Sequence, residues 1–162
     1  MATTTLDTTA CHLIASEGST RWSWSQSFIN TRTLPNLFDN SAAASYIKTV
    51  SLVSTQPVSP YGYTETSNSK YYLPSVYEMM GTKWHYTYDG DPDGNGQITY
   101  FANGNSKAMT TLSGVQTPYW LRSSYDQTGD GEAQYAYLDS SGSSLEAMGG
   151  TSFSWLAPMF DI

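Results

Sequence analysis

The sequence predicts an α+β domain in which one or two short helices flank a small twisted antiparallel sheet with long loops. Three observations predict it. Short apolar runs alternate with period two at residues 48–55 and 133–138 and end in Pro, Gly, Asp or Ser, the signature of half-buried strands. Two stretches carry helix-start chemistry: Pro35 ahead of an alanine run, and Ser75 three positions before Glu78. Thirteen Tyr and five Trp among 162 residues bring enough ring surface to offset chain entropy, which argues against disorder. That length suits one core, so the expected organisation is an N-terminal arm or edge strand over residues 1–20 and a single domain over 21–162.

Taken in order, the Thr-rich start alternates only weakly through Cys11, Leu13 and Ala15, which suggests an arm ordered by a partner or an edge strand. Trp22, Trp24, Phe28 and Ile29 predict a short helix or turn pinned by its rings. A helix is expected over 35–46 and a strand over 48–55, after which Pro57, Pro60 and Gly62 open a loop running to residue 69. Ser75 and Glu78 form a capping box for a helix over 76–80 that stops at Gly81. An acidic, Gly-rich loop over 89–96 precedes a short strand over 98–101, and 103–118 is turn-rich. Strands follow at 119–121 and 133–138, and Asp139, Ser140, Ser141 and Gly142 supply a hairpin turn. The closing run, 153–162, reads as a strand pair or one bent strand, with Pro158 forcing an edge or bulge position.

Composition excludes several function classes. The net charge of −7 repels a phosphate backbone, so nucleic acid is not an expected partner. Cys11 is the single cysteine, which rules out an intrachain disulfide, a Cys-based zinc site and a two-Cys redox centre. No apolar run is long enough to cross a bilayer as a helix, and the first ten residues lack the basic and apolar regions of a secretory signal. His12 and His85 belong to no spaced ligand pair, and no GxSxG elbow occurs. In contrast, 23 Ser and 20 Thr make a surface of hydroxyls, a composition suited to an extracellular or particle-exposed protein.

Asp91, Asp93 and Asn95 with Gly96 and Ile98 reproduce the opening of a calcium loop, and Asp89 adds a carboxylate. The twelfth position is Ala102 instead of the bidentate Glu, so any calcium affinity is weak, and no cofactor is otherwise expected. Asp126, Asp130 and Glu132 form a second acidic loop whose spacing fits a solvated turn better than a metal site. The loop tyrosines Tyr61, Tyr63, Tyr86, Tyr88 and Tyr125 are the candidate ligand-binding residues. An exposed Tyr offers a large stacking face, such as the apolar C–H face of a sugar accepts, at small entropic cost. Trp22, Trp120, Trp155 and Pro158 are expected to be structural, as is Arg122, which follows an aromatic strand and would tie it to a neighbouring segment through carboxylate or carbonyl contacts.

Trp22 with Ser27 and Asn30, residues 34–38 and 47–50, and Leu73-Pro74-Ser75 with Glu78 occur together in this order. They are followed by Asp93-Gly94, Tyr100-Phe101 with Gly104, Ser106 and Lys107, and then Trp120-Leu121-Arg122-Ser123. Ala136-Tyr137, Ser141-Gly142-Ser143 and a terminal Ala157-Pro158-Met159-Phe160 with Ile162 complete the set. As a set, these residues resemble an uncharacterised C-type-lectin-like domain family of gut bacteria and their phages. The resemblance implies a C-type-lectin-like fold whose long loops present the binding surface, and an Asp-Gly turn that serves structure without a full calcium set. The EPN, QPD and WND triplets of calcium-dependent sugar-binding lectins have no counterpart here, and a lone Cys11 speaks against formylglycine-generating chemistry.

The function expected from residues and resemblance together is a non-enzymatic phage virion surface module, a fibre, tail or head decoration that binds host envelope or glycan. Its N-terminal arm would dock onto other virion subunits, and a homo-oligomer would turn weak contacts into avidity. Assembly would take place in the host cytoplasm, with no export signal and no membrane insertion. The alternative is a bacterial cell-surface adhesion domain. A metal-dependent enzyme using Asp91, Asp93 and Asp130 ranks last, since no His or Cys stands near them in the sequence.

Overall fold

The computed structural model describes residues 44–56, 63–82, 96–111, 113–125, 134–149, 154–157 and 159–160. The arm, the aromatic segment from Trp22, most of the helix expected over 35–46 and both acidic loops lie outside the described residues. Of that helix only Ala44–Tyr46 is described, as a single 3-10 turn.

The fold is α+β, with short antiparallel pairings and few helices. Strand β1 (Val50–Gln56) pairs with β2 (Tyr63–Ser69) along its whole length, from Val50 opposite Ser69 to Gln56 opposite Tyr63. Residues 63–69 were expected to continue a loop and are instead a strand. Their sequence, YTETSNS, carries no apolar alternation to announce it, so the ladder to β1 provides what side-chain pattern does not.

Helix α1 (Val76–Met80) matches its predicted bounds. Ser75 Oγ accepts from the Glu78 amide at 3.0 Å, and the Ser75 amide donates to Glu78 Oε2 at 2.8 Å. Gly81 stops the helix at φ 70°, with its amide bonded to the Tyr77 carbonyl. The strand expected over 98–101 is corrected by the structure: Thr99–Ala102 forms the four-residue helix α2. The Ile98 amide is taken by the Glu78 carbonyl, and the Ile98 carbonyl accepts from Phe101 and Ala102, so the chain curls instead of extending. This packs Phe101 against the core and leaves Tyr100 outside, a tertiary override of the β propensity of Thr-Tyr-Phe.

A two-residue hairpin, β3 (Met109–Thr110) with β4 (Gln116–Thr117), occupies the turn-rich stretch. The main sheet is β5 (Tyr119–Tyr125), β6 (Gln134–Leu138) and β7 (Leu145–Gly149) in that order, all antiparallel. The expected C-terminal strand or strand pair is, among the described residues, replaced by isolated bridge positions at 154, 155 and 159, with Trp155 parallel to Tyr119 and Met159 antiparallel to Tyr72. They face different partners, with Pro158, which has no amide hydrogen, between them, so no continuous ladder joins them.

Strand β5 is buried on both faces, and its period of two sorts the core. Trp120 packs with Leu52, Tyr72, Leu73, Tyr135 and Leu156, while Tyr119 and Leu121 pack with Val76, Met79, Ala136 and Leu138. The β1–β2 hairpin therefore covers one side of the sheet and the helices the other. A register shift between Trp120 and Ser124 interrupts the β5–β6 ladder. There the Arg122 amide bonds the Pro74 carbonyl at 3.0 Å.

Candidate functional site

The polar centre of the described structure is built by Glu78 and Arg122. Arg122 is wholly buried and the Glu78 side chain is 7% exposed. Arg122 Nη1 pairs with Glu78 Oε2 and also donates to the Leu73 carbonyl at 3.0 Å, while Nη2 donates to Glu78 Oε1 at 3.1 Å. Such a fork holds both position and plane of the carboxylate. Its guanidinium also lies 5.9 Å from the centre of the Tyr72 ring. Next along β5, Ser123 Oγ accepts the first helical amide, that of Val76, at 3.0 Å. Strand, helix start and the 73–75 segment are thus held by one hydrogen-bonded unit.

The same unit closes the stem of the segment between α1 and α2. The Glu78 carbonyl accepts from the Ile98 amide at 2.9 Å, and Gln97 Nε2 donates to the Met79 carbonyl at 3.3 Å. Gly81 suits this stem because its φ of +70° is a left-handed position that L side chains rarely adopt, and a Cβ there would displace the Gln97 carboxamide. Residues 83–95, which carry Tyr86, Tyr88, Asp89, Asp91, Asp93 and Asn95, leave and return through that clamp and lie outside the described residues themselves.

Two further segments depart from clamped ends. Tyr61 belongs to 57–62, between β1 and β2, and is not among the described residues. Tyr63, expected in the loop, is the first residue of β2 opposite Gln56, and Tyr125, also expected in a loop, ends β5 opposite Gln134. Both are strand-end positions because ladder pairing extends further than the apolar pattern does. Trp22 and Pro158 lie outside the described residues, Trp120 is wholly buried, and Trp155 is partly buried with its carbonyl accepting from the Trp120 amide. Among the described residues no three His, Cys, Asp or Glu side chains group as metal ligands.

The Asp139–Ser144 turn is the other polar cluster. Asp139 Oδ1 accepts from the amides of Ser143 and Ser144, and Oδ2 accepts from Ser141 Oγ at 2.7 Å. The Ser141 hydroxyl, followed by these amides, holds the Asp139 carboxyl down at about 2. Gly142 sits at φ 71° against the Lys107–Ala108 peptide, where a Cβ would collide with backbone. On that same segment, the Lys107 carbonyl accepts from Tyr119 Oη at 2.6 Å, and burial raises the Tyr119 phenol well above its usual value. The 99–108 segment is therefore fixed at both ends, by the Glu78 clamp and by this turn.

Sequence reasoning placed Arg122 and Glu78 separately but did not pair them. What it missed was the exposed Tyr100, whose neighbour Phe101 takes the buried side of α2. These features define a small α+β domain in which a buried ion pair joins β5 to the start of α1 and to the stem of the 83–95 segment. The chain belongs to the family described as Domain of unknown function (DUF6273), which matches residues 13–162. No curated protein and no solved structure matches it.

Proposed function

We propose that the chain is a non-enzymatic display module of a phage particle, with a C-type-lectin-like arrangement, that binds host envelope or glycan through its tyrosine-bearing segments. The observation that carries this reading is the Glu78–Arg122 clamp. Arg122 Nη1 and Nη2 donate to the Leu73 carbonyl and to Glu78, and the Glu78 carboxylate also accepts from the Ser75 amide, which supports a framing role for this buried pair, with Arg122 Nε the one guanidinium nitrogen that makes no hydrogen bond. The stem of the segment bearing Tyr86 and Tyr88 is tied to that frame, while Tyr61 lies in 57–62 between the paired strands β1 and β2, and Tyr63 and Tyr125 stand at the strand ends beside 57–62 and 126–133. Binding residues on segments positioned by a rigid scaffold are a common division of labour.

The residues behind the lectin-like resemblance support it by meeting in one place. Leu73, Pro74, Ser75, Glu78, Arg122 and Ser123 are joined by hydrogen bonds across the sequence, Gly142 lies against Lys107 of the set, and Met159 pairs with Tyr72, next to Leu73. Oligomerisation on the particle, through the N-terminal arm, is part of the proposal.

Two measurements test it together: mass spectrometry of purified particles, and adsorption of the fluorescently labelled chain to host cells. The chain is expected in the particles at stoichiometric level and on the host envelope. Its absence from particles overturns the virion reading, and recovery from the envelope of uninfected bacteria would establish the adhesion-domain alternative in its place.

A further inference from the structure

Tyr100 is 54% exposed, in a segment tied down at both ends. Its ring meets Phe101 edge-to-face, with centroids 5.3 Å apart and planes at 81°. Phe101 is itself anchored in the core cluster of Val76, Met79 and Leu121 and carries Lys107 Nζ at 5.9 Å from its ring centre. The Tyr100 carbonyl accepts from Asn105 Nδ2 at 2.7 Å, which holds the side-chain amide of Asn105 to the same helix. Thr99, Asn103, Asn105 and Ser106 are all exposed around it.

From this geometry we infer that Tyr100 and Asn105 form a stacking subsite for a neutral hexopyranose unit. The inference rests on the glycan-binding reading and adds to it a site outside the five loop tyrosines. A pyranose presents a face of C–H groups that lies on an aromatic ring and a rim of hydroxyls that needs donors and acceptors close by. Here the ring rests edge-to-face on the core-anchored Phe101, and the Asn105 side chain is held beside it by its bond to the Tyr100 carbonyl, so the polar partner is placed before any ligand arrives. The amides and hydroxyls of Asn103, Asn105, Thr99 and Ser106 supply the polar rim. A neutral unit fits better than an acidic one, because the chain carries a net charge of −7 and repels anions over its surface.

The test uses the full chain titrated with three neutral probes, the hexaoses of glucose, mannose and galactose, by calorimetry and by NMR of the tyrosine ring protons. At least one hexaose is expected to bind. Y100A is expected to weaken binding about tenfold, a ~1.4 kcal/mol change, while Y100F and Y100W, which keep a stacking face, stay within about threefold of the wild type. Equal thermal midpoints of Y100A and wild type would establish that the loss is not unfolding. Binding to none of the three, or undiminished binding by Y100A, overturns the inference. Undiminished binding by Y100A with loss in Y86A/Y88A would leave the display reading standing with its sugar contact on the loop. Failure of all hexaoses while the chain still coats host cells would sink the sugar subsite alone.

Discussion

Arg122→Met removes a guanidinium from a position with no solvent access and takes the donors from Glu78 Oε1 and from the Leu73 carbonyl. Two buried acceptors deprived of partners cost about 1–3 kcal/mol each. Measured losses from breaking a buried ion pair on one side, about 3–5 kcal/mol, fall in the same range. Against a total stability of about 5–15 kcal/mol this is a large fraction. The corresponding fall in Tm is on the order of 10 °C for a chain of this size. Urea unfolding followed by tryptophan fluorescence gives the number directly, with an unchanged slope showing that the unfolded state is not what moved. Glu78→Met should cost as much or slightly more, since the Ser75 amide loses its acceptor too. The double variant buries no uncompensated charge, so it is expected to lie at least about 2 kcal/mol above the sum of the singles. High salt should leave the Arg122→Met loss intact, because screening acts on exposed charges far more than on a buried pair. A loss within about 0.5 kcal/mol for Arg122→Met, the size of an ordinary surface change, or strict additivity in the double variant, would refute the clamp argument.

Gly142→Ala should destabilise by about 1–3 kcal/mol, because it strains a left-handed position and drives a Cβ into the Lys107–Ala108 peptide, and hydrogen exchange should rise first at residues 105–108. Ser75→Ala removes one half of the capping box and should cost about 1 kcal/mol in the same urea assay, with α1 amides losing protection. Tyr137 is held neutral by its hydrogen bond to Glu146, with burial second, and its phenol is pushed up to about 12. The folded-state value is raised, so this contribution is complete below the ordinary value near ~10 and is lost as pH rises through about 12. Ultraviolet titration of wild type against Tyr137→Phe isolates that group, and Glu146→Ala should return it toward the ordinary range; an unshifted transition in the wild type would contradict the assignment.

Local signals carried much of the architecture. The Ser75/Glu78 spacing and Gly81 are sufficient for α1, because a capping box and a left-handed stop are set within a few residues of chain. The alternation in 134–138 and the Asp139 turn were legible for the same reason, whereas β5 extends beyond the apolar Tyr-Trp-Leu through the pairing of Ser124 and Tyr125 with β6 and the partners that Arg122 and Ser123 find in the 73–78 segment. What sequence did not reveal was decided by distant contacts. Residues 63–69 become a strand by pairing with β1, and 99–102 a helix with Glu78 taking the Ile98 amide ahead of it, neither of which is written in local propensity. The candidate site divides likewise: Arg122 could be read as a tie, but its partner, separated by 44 residues, could not. Tyr100 was hidden because exposure of one ring and burial of the next depends on which secondary structure the pair adopts.

The two C-terminal bridges have a consequence for how the chain is made. Trp155 supplies the carbonyl for the Trp120 amide, and Met159 exchanges hydrogen bonds with Tyr72 in both directions. During synthesis, then, Tyr72 and the Trp120 edge of β5 wait without those partners until residues 155–159 have cleared the ribosome. Closure of these edges is therefore coupled to synthesis of residues 155–159, and nascent chains stalled before residue 155 would present those edges to chaperones or to one another.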